Sequence, residues 1–389
     1  MAIPAATMHP ETAVRARYEA AAKVRETALC CPVTYDPRFL ELIPQEIRDK
    51  DYGCGDPSAY VREGDTVLDL GSGGGKICYI AAQIVGRKGR VIGVDFNPEM
   101  LALARRYRGE MAKKLGYDVV EFHRGRIQDL ALSLDAVDAW LAKNPITNSD
   151  DLARFEQMKA QLRSTQPMIE DESVDVIISN CVLNLVEEGA REQLFSEMFR
   201  VLKRGGRVAI SDIVSDEPVP EEMKRDPKLW SGCISGAFQE AELLHAFERA
   251  GFHAITIEKR DEKPWQTIRG IEFRSVTVTA RKGKQGPCWE RNQAVIYKGP
   301  WKKVEDDDGH VLLRGQRVAV CDKTFRILTG EPYGRDVIPV PPLEEIPLSR
   351  AKPFDCNRND VRDPAETKGK RYRKTTAAPA ACAPGSGCC

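Results

Sequence analysis

The run Thr66-Val-Leu-Asp-Leu70 passes without a break into Gly71-Ser-Gly-Gly-Gly75, and that loop opens an apolar helical pattern from Ile77 to Val85. A strand that turns through glycines into a helix restricts the chain to few architectures, because glycine allows both the sharp turn and the close approach of backbone to a ligand. The alternation continues from Asp65 to about Val214. Strands are expected at Thr66–Leu70, Arg90–Val94, Val119–His123, Val174–Ser179 and Arg207–Ser211. Short apolar runs separated by helical periods are what a parallel sheet with crossover helices requires. The helix after the second strand is bounded by Asn97 as N-cap, Pro98 in the first turn and Gly116 as stop. A later amphipathic helix carries Leu194, Met198, Val201 and Leu202, and Gly205-Gly206 is expected to end it.

The remainder divides around this core. Residues 1–64 form an N-terminal segment containing Cys30, Cys31 and Cys54, and residues 65–214 form the cofactor domain. Within it, 133–172 reads as an insertion with helical signals at Ala136–Ala142 and Asp151–Leu162. Residues 215–282 hold a Gly/Ser loop, Trp230–Ala237, then a helix, and then an antiparallel pair, His253–Lys259 with Arg274–Ala280, that completes the sheet. The linker composition of Lys282-Gly-Lys-Gln-Gly-Pro287 opens a small C-terminal domain over 283–350. Residues 351–389 are basic, rich in Pro and Ala, contain cysteines, and are expected to be a disordered tail.

The glycine loop also narrows the cofactor. A dinucleotide enzyme would place a third glycine at position 76, where this chain has Lys76. Asp95, at the end of the second strand, can accept both hydroxyls of a ribose. An adenosyl ligand without a pyrophosphate follows, and S-adenosylmethionine fits that description. Asp69, Gly71, Ser72, Gly73, Gly75 and Asp95 are the expected cofactor residues. Phe96 would flank the adenine, Ile127 and Gln128 would meet its other edge, and Asn180 would contact the cofactor or orient its loop. The fold expected is therefore α/β: a Rossmann-like, class I S-adenosylmethionine-dependent methyltransferase core with an inserted substrate-binding region and a small C-terminal domain.

Composition excludes several alternatives. A formal net charge of +0 gives no nucleic-acid signal, and no apolar run approaches the roughly 18 residues needed to cross a bilayer. Met1 to Thr12 lack a basic stretch followed by an apolar one, so a cytoplasmic location is expected; the protein is expected to be a monomer. Twelve cysteines in 389 residues are too few for a disulfide scaffold and more than cytosolic packing needs. With five histidines and no Cys-x-x-Cys or His-Glu-x-x-His stretch, no permanent metal is expected.

Three of the cysteines stand in distinctive settings: Tyr52-Gly-Cys-Gly55, Ser179-Asn-Cys-Val182 and Ser231-Gly-Cys-Ile-Ser-Gly236. Together with Asp69-Leu-Gly-Ser-Gly-Gly-Gly75, Val91-Ile-Gly-Val-Asp95, Leu202-Lys-Arg-Gly-Gly206 and the Cys-rich C-terminus, they resemble the arsenite methyltransferase family over most of the chain. The resemblance implies that Cys181 and Cys233 bind trivalent arsenic, as arsenite or an arsenic–thiol conjugate, and that Cys54 joins as a third thiolate or acts in redox turnover. It also implies a redox role for Cys30 or Cys31, with a glutathione or thioredoxin-like thiol as reductant. Two departures from the family pattern are Ile77 after Lys76, where an acidic residue is common, and the length of the 133–172 insertion.

The residues themselves support a thiolate site. Cys181 follows the carboxyl end of the fourth strand, the rim where open α/β sheets place ligands, and Cys233 lies on a loop able to reach it. Thiolates suit a soft centre, and three of them leave it a free lone pair. Two competing readings remain: the same fold acting on antimony, selenium, tellurium or an organic acceptor, and a non-catalytic thiol protein that sequesters metalloid. Cys78 and Cys321 read as packing residues, and Cys288 and Cys356 carry no signal.

Overall fold

The structure, a computed structural model, describes residues 10–26, 33–357 and 360–376. Cys30, Cys31, Cys382, Cys388 and Cys389 lie outside the described residues. The chain divides into two compact units, Met1–Gly283 and Lys284–Cys389.

The first unit opens with helices α1 (Pro10–Lys23), α2 (Pro37–Leu40) and α3 (Gln45–Asp49). Strand β1 (Thr66–Leu70), helix α4 (Lys76–Val85), strand β2 (Arg90–Asp95), helix α5 (Pro98–Leu115) and strand β3 (Val120–Arg124) follow. The insertion forms helices α6 (Leu134–Leu141) and α7 (Ser149–Thr165). Next come β4 (Val174–Asn180), α8 (Arg191–Val201), β5 (Leu202–Ser215), α9 (Glu221–Lys224), α10 (Pro227–Ser231), β6 (Phe238–Gln239) and α11 (Glu240–Arg249). Strands β7 (His253–Arg260), β8 (Gln266–Ile268) and β9 (Ile271–Arg281) complete the unit.

The sheet runs β3-β2-β1-β4-β5-β9-β7, with β6 beside β5 and β8 beside β9. Strands β1 to β5 are mutually parallel, and β9 pairs antiparallel with both β5 and β7. Alternate residues feed two cores. Val67, Val91, Val176 and Ile178 face Ile80, Leu101 and Ala104 of α4 and α5, while Leu68, Ile92, Ile177 and Val208 face the cluster of Leu194, Met198 and Phe247 from α8 and α11. A sheet buried on both faces needs such near-continuous apolar strands. Strand order reverses between β1 and β4, so the crevice at their carboxyl ends is the topological switch point where this architecture binds ligands.

The helix expected to run to Gly205-Gly206 instead stops at Val201, and β5 begins at Leu202. Leu202 is fully buried opposite Val174, and the ladder then jumps to Val176 opposite Arg207. The glycines sit in that irregularity, where the Gly205 amide donates to the Lys282 carbonyl at 2.7 Å and the Lys282 amide to that of Gly206 at 3.1 Å.

The second unit contains β10 (Trp289–Glu290), β11 (Ala294–Tyr297), β12 (Lys303–Glu305), β13 (Val311–Leu313), β14 (Arg317–Ala319), α12 (Asp322–Thr329), β15 (Val337–Val340), β16 (Lys352–Pro353) and α13 (Pro364–Lys368). An antiparallel sheet β14-β11-β15 packs Val295, Val318 and Val337 against Leu328 of α12. Residues 351–376 were expected in a disordered tail, but β16 pairs with β10 and Arg362 is buried. The Arg362 guanidinium donates to Glu290 and Glu366 and to the Gln293 carbonyl. Basic, proline-rich composition concealed a segment that pairs as a strand and buries one arginine with its partners inside the unit.

Candidate active site

Each cofactor-binding residue expected from sequence, Gly75 excepted, lines one cavity at the switch point: Asp69, Gly71, Ser72, Gly73, Asp95, Phe96, Ile127, Gln128 and Asn180. Gly71 and Ser72 amides donate to the Val94 carbonyl, which ties the loop to β2. Gly71 has φ +73°, and a Cβ there would strike the Val182 side chain. Gly75 serves differently. It sits at φ +84° before α4, and a Cβ would meet Phe122 and Ala104, so its bareness permits helix–sheet packing.

The Asp95 carboxylate accepts from the amides of Gly73 (2.9 Å) and Asn97 (2.8 Å). Burial raises its pKa above the ordinary carboxylate range, and these amides work against that rise. Asp69, deeper in the wall, is pushed up to about 7 by burial, and its Oδ2 accepts from the Cys78 thiol at 3.2 Å. Cys78 is therefore more than filler. Ser72 Oγ is buried against the cavity without a hydrogen-bond partner. An orphaned hydroxyl, a buried carboxylate and a bare backbone turn, next to apolar Phe96 and Ile127, fit an adenosyl ligand with polar substituents.

The three motif cysteines are buried and share one apolar cluster with Ile213, Met223 and Phe273. Cys181 also lines the cofactor cavity. Its amide donates to the Ser211 carbonyl at 2.8 Å, and its own carbonyl accepts from the Cys233 thiol at 3.2 Å. Cys181 and Cys233 each have φ 61°, the left-handed region that a non-glycine residue adopts at a cost of order 1–3 kcal/mol. Two such outliers in contact mark a place where surrounding structure dictates the backbone. For Cys233 the surroundings are α10, capped by Asp226 at the Lys228 and Leu229 amides, and the hydrogen bond that the Cys233 amide donates to the Trp230 carbonyl.

Asn180, expected beside the cofactor, reaches the cavity wall, but its amide group holds the Cys54 loop. Oδ1 accepts from the amides of Cys54 (2.8 Å) and Gly55 (3.1 Å), and Nδ2 donates to the Gly55 carbonyl (2.7 Å) and to Tyr35 Oη (3.1 Å). A Cβ on Gly53 would collide with that amide, and one on Gly55 with Ser211. The Tyr-Gly-Cys-Gly spacing is thus the imprint of a side chain 126 positions away.

Asp212 and Tyr18 gave no signal in sequence, and Lys76 signalled only the absence of a third glycine. The Asp212 carboxylate lies within 4.8 Å of the Cys54 and Cys181 sulfurs, as these lie of one another. It also accepts from the Leu183 amide and the Asn184 side chain, and so fixes the turn after Cys181. Burial raises it to about 6. Lys76, which replaces the third glycine, is buried over the Tyr35 ring and paired with Asp51 at 2.6 Å. Tyr18 of α1 lines the cavity and shares a hydrogen bond with Cys233. Burial, then the neighbouring thiols, drive its phenol well above its usual range. Proximity to distant segments was the only mark Asp212 and Tyr18 carried, and spacing cannot display it.

A methyltransferase-domain family matches residues 62–165 and 148–251, and a family described as a domain of unknown function (DUF8838) matches residues 284–372. Fold and site together define an S-adenosylmethionine-dependent methyltransferase. The chain is 31% identical to the arsenite methyltransferase of Aquipseudomonas alcaligenes, covering 78% of this chain and 82% of that one. It is 37% identical to the arsenite methyltransferase of Halobacterium salinarum over 60% of this chain, and there it spans 51% of the relative's length. The crystal structure of an arsenic (III) S-adenosylmethionine methyltransferase from Chlamydomonas reinhardtii matches with a TM-score of 0.54 at 25% identity, covering 84% of this chain and 100% of that one. The chain belongs to the arsenite methyltransferase family. Among the described residues, no helix is long and apolar enough to cross a membrane.

Proposed function

We propose that this protein methylates trivalent arsenic held by Cys54, Cys181 and Cys233, with S-adenosylmethionine in the switch-point cavity as donor. One observation carries the reading: Cys181 belongs at once to the cofactor cavity and to the thiol cluster. When bound, the cofactor supplies a methyl group activated on a sulfonium. Asp95 would hold its ribose, Phe96 and Ile127 its adenine, and the glycine loop its amino-acid end. The thiolates bind the arsenic substrate as a three-sulfur pyramid, with the remaining lone pair toward the cavity. The arsenic–carbon bond forms as the carbon–sulfur bond breaks, and S-adenosylhomocysteine leaves. No proton has to be removed from the nucleophile, so positioning supplies most of the rate. Because the lone pair becomes the new bond, the arsenic passes formally from trivalent to pentavalent; Cys30 or Cys31, with a glutathione or thioredoxin-like thiol, would return the two electrons and end as a disulfide, which further thiol reduces, as a reducing cytoplasm allows.

The test is to incubate the full chain, monomeric on this reading, with arsenite, a thiol and methyl-labelled S-adenosylmethionine, and to chromatograph the arsenic. Label in methylarsenic products supports the proposal. Unlabelled arsenic from folded, cofactor-binding protein refutes it.

A further inference from the structure

The second unit holds another thiol cluster. Cys288, Cys321 and Cys356 bring their sulfurs within 4.8 Å of one another. They come from three segments: Cys288 precedes β10, Cys321 caps α12, and Cys356 follows β16. The β10–β16 pairing sets Cys288 opposite Phe354, whose amide donates to the Cys288 carbonyl at 2.9 Å, so the strand ladder brings Cys356 to the same end. Cys321 is fixed from the other side. Its sulfur accepts from the Thr324 amide at 3.3 Å and lies 3.2 Å from that residue's hydroxyl. Ala319 and Phe354 complete an apolar wall. None of the three is in a disulfide.

Cysteines that merely pack are usually dispersed, each among hydrocarbon neighbours. Here three converge from positions 33 and 35 residues apart in sequence, and the arrangement is graded. Cys321 is fully buried at the floor, while Cys288 and Cys356 are half-buried at the mouth. A ligand can enter between the outer pair and close on the third. Among the described residues, no fourth His, Cys, Asp or Glu joins the group. A tetrahedral structural zinc takes four protein ligands, whereas a trivalent, lone-pair-bearing metalloid is complete with three sulfurs.

We propose that Cys288, Cys321 and Cys356 form a second site for a soft, three-coordinate thiophilic cation, and that trivalent arsenic is its ligand. The choice of arsenic rests on the function proposed above; the three-sulfur site rests on the second unit alone. It adds a place to hold metalloid outside the methylating centre, with no cofactor needed.

The full chain with Cys30, Cys31, Cys54, Cys181, Cys233, Cys382, Cys388 and Cys389 replaced by Ser isolates the cluster, with Cys78 the one other cysteine left. Equilibrium dialysis against arsenite under a phosphine reductant should then give one arsenic per chain, with X-ray absorption reporting three sulfur neighbours. Adding Cys288→Ala or Cys356→Ala, both at the half-buried mouth, should weaken binding roughly 10²-fold or more, since a third tethered ligand acts at high effective concentration. Circular dichroism of each variant checks the fold. Unchanged binding in folded Cys288→Ala and Cys356→Ala chains overturns the site. Zn²⁺ binding that arsenite cannot displace overturns the choice of arsenic. The eight-Ser chain is tested without methyl donor, so a failure of the proposed methylation leaves this readout intact, and a failure here leaves methylation standing.

Discussion

The two thiol clusters use the same side chain in different surroundings. Cys54, Cys181 and Cys233 are buried among apolar neighbours, two of them held at positive φ, with the Asp212 carboxylate beside two of the sulfurs and Cys181 lining the switch-point cavity. Cys288, Cys321 and Cys356 have a half-open mouth. There, burial is opposed by hydrogen bonding from Cys356 and Cys321 and by the charge of Lys323, which together bring the Cys288 thiol below its ordinary range. Sulfur alone therefore does not make a methylating centre. On the function proposed above, a rigid address beside a donor cavity does, and the first cluster has one.

The sharpest way to break this contrast is to exchange losses between the clusters. Cys181→Ser or Cys233→Ser should lower methylarsenic formation by on the order of 10²-fold or more, because a misplaced nucleophile forfeits the positioned geometry. Cys356→Ser should leave the labelled product within about twofold of the parent, as expected for a residue with no part in the transition state. Equal losses in both would merge the two clusters into one function.

Next in size is the donor cavity. Asp95→Ala should weaken S-adenosylmethionine binding by roughly 10-fold to 10²-fold, given about 1.5–3 kcal/mol for hydrogen bonds to a charged group. Arsenite binding should persist. Calorimetry with each ligand separately checks both halves.

A smaller effect tests the rigid address. Gly53→Ala forces a methyl group onto the Asn180 amide that holds Cys54. It should lower stability by about 1–3 kcal/mol, as overpacking does, with activity falling too. Gly64→Ala meets no neighbour, although its φ of +81° adds backbone strain, and should cost stability without touching the thiols. Thermal unfolding alongside the methylation assay separates the two.

The last effect is electrostatic and is read as a slope against pH. Asp69 has its folded-state pKa raised to about 7 by burial, from an ordinary value near 3.8. The folded state therefore holds a proton that the unfolded state releases. Its stabilising share is complete below pH about 4 and is lost as pH climbs to about 7, at no more than ~1.4 kcal/mol per pH unit. Asp69→Asn should flatten the fall in Tm across that window. An unchanged slope would remove Asp69 from the account.

Much of the first cluster was legible before the structure, and almost none of the second. Strands β1 to β4 follow from period and flanking turns, and Cys181 could be placed because a strand's end is a local property. Gly53 and Gly55 were visible as a motif, but their cause, Asn180, was not. Asp212 looked like any acid in a strand, because its meaning lies in two sulfurs supplied by other segments. Cys321 read as packing because its neighbours in sequence are apolar, and Cys288 and Cys356 gave no sign of a strand pair that joins them. The start of β5 was misjudged since Leu202 completes a helical stripe equally well, and only its pairing with Val174 decides.

Helix α1 has a final consequence. At one end, the Glu11 carboxylate accepts from Arg126 at 2.7 Å and the Arg15 carbonyl accepts from Asn97 at 3.4 Å, both on the donor side. Further along, Arg17 donates to the Lys228 carbonyl and to Ser231, while Tyr18 leans on Cys233. One helix thus ties the cofactor side of the site to the thiol side. On the function proposed above, departure of the spent nucleoside and reloading of the sulfurs would share this helix, and the first turnover should outrun those that follow, a burst that rapid-quench measurement would show as an amplitude equal to the enzyme present.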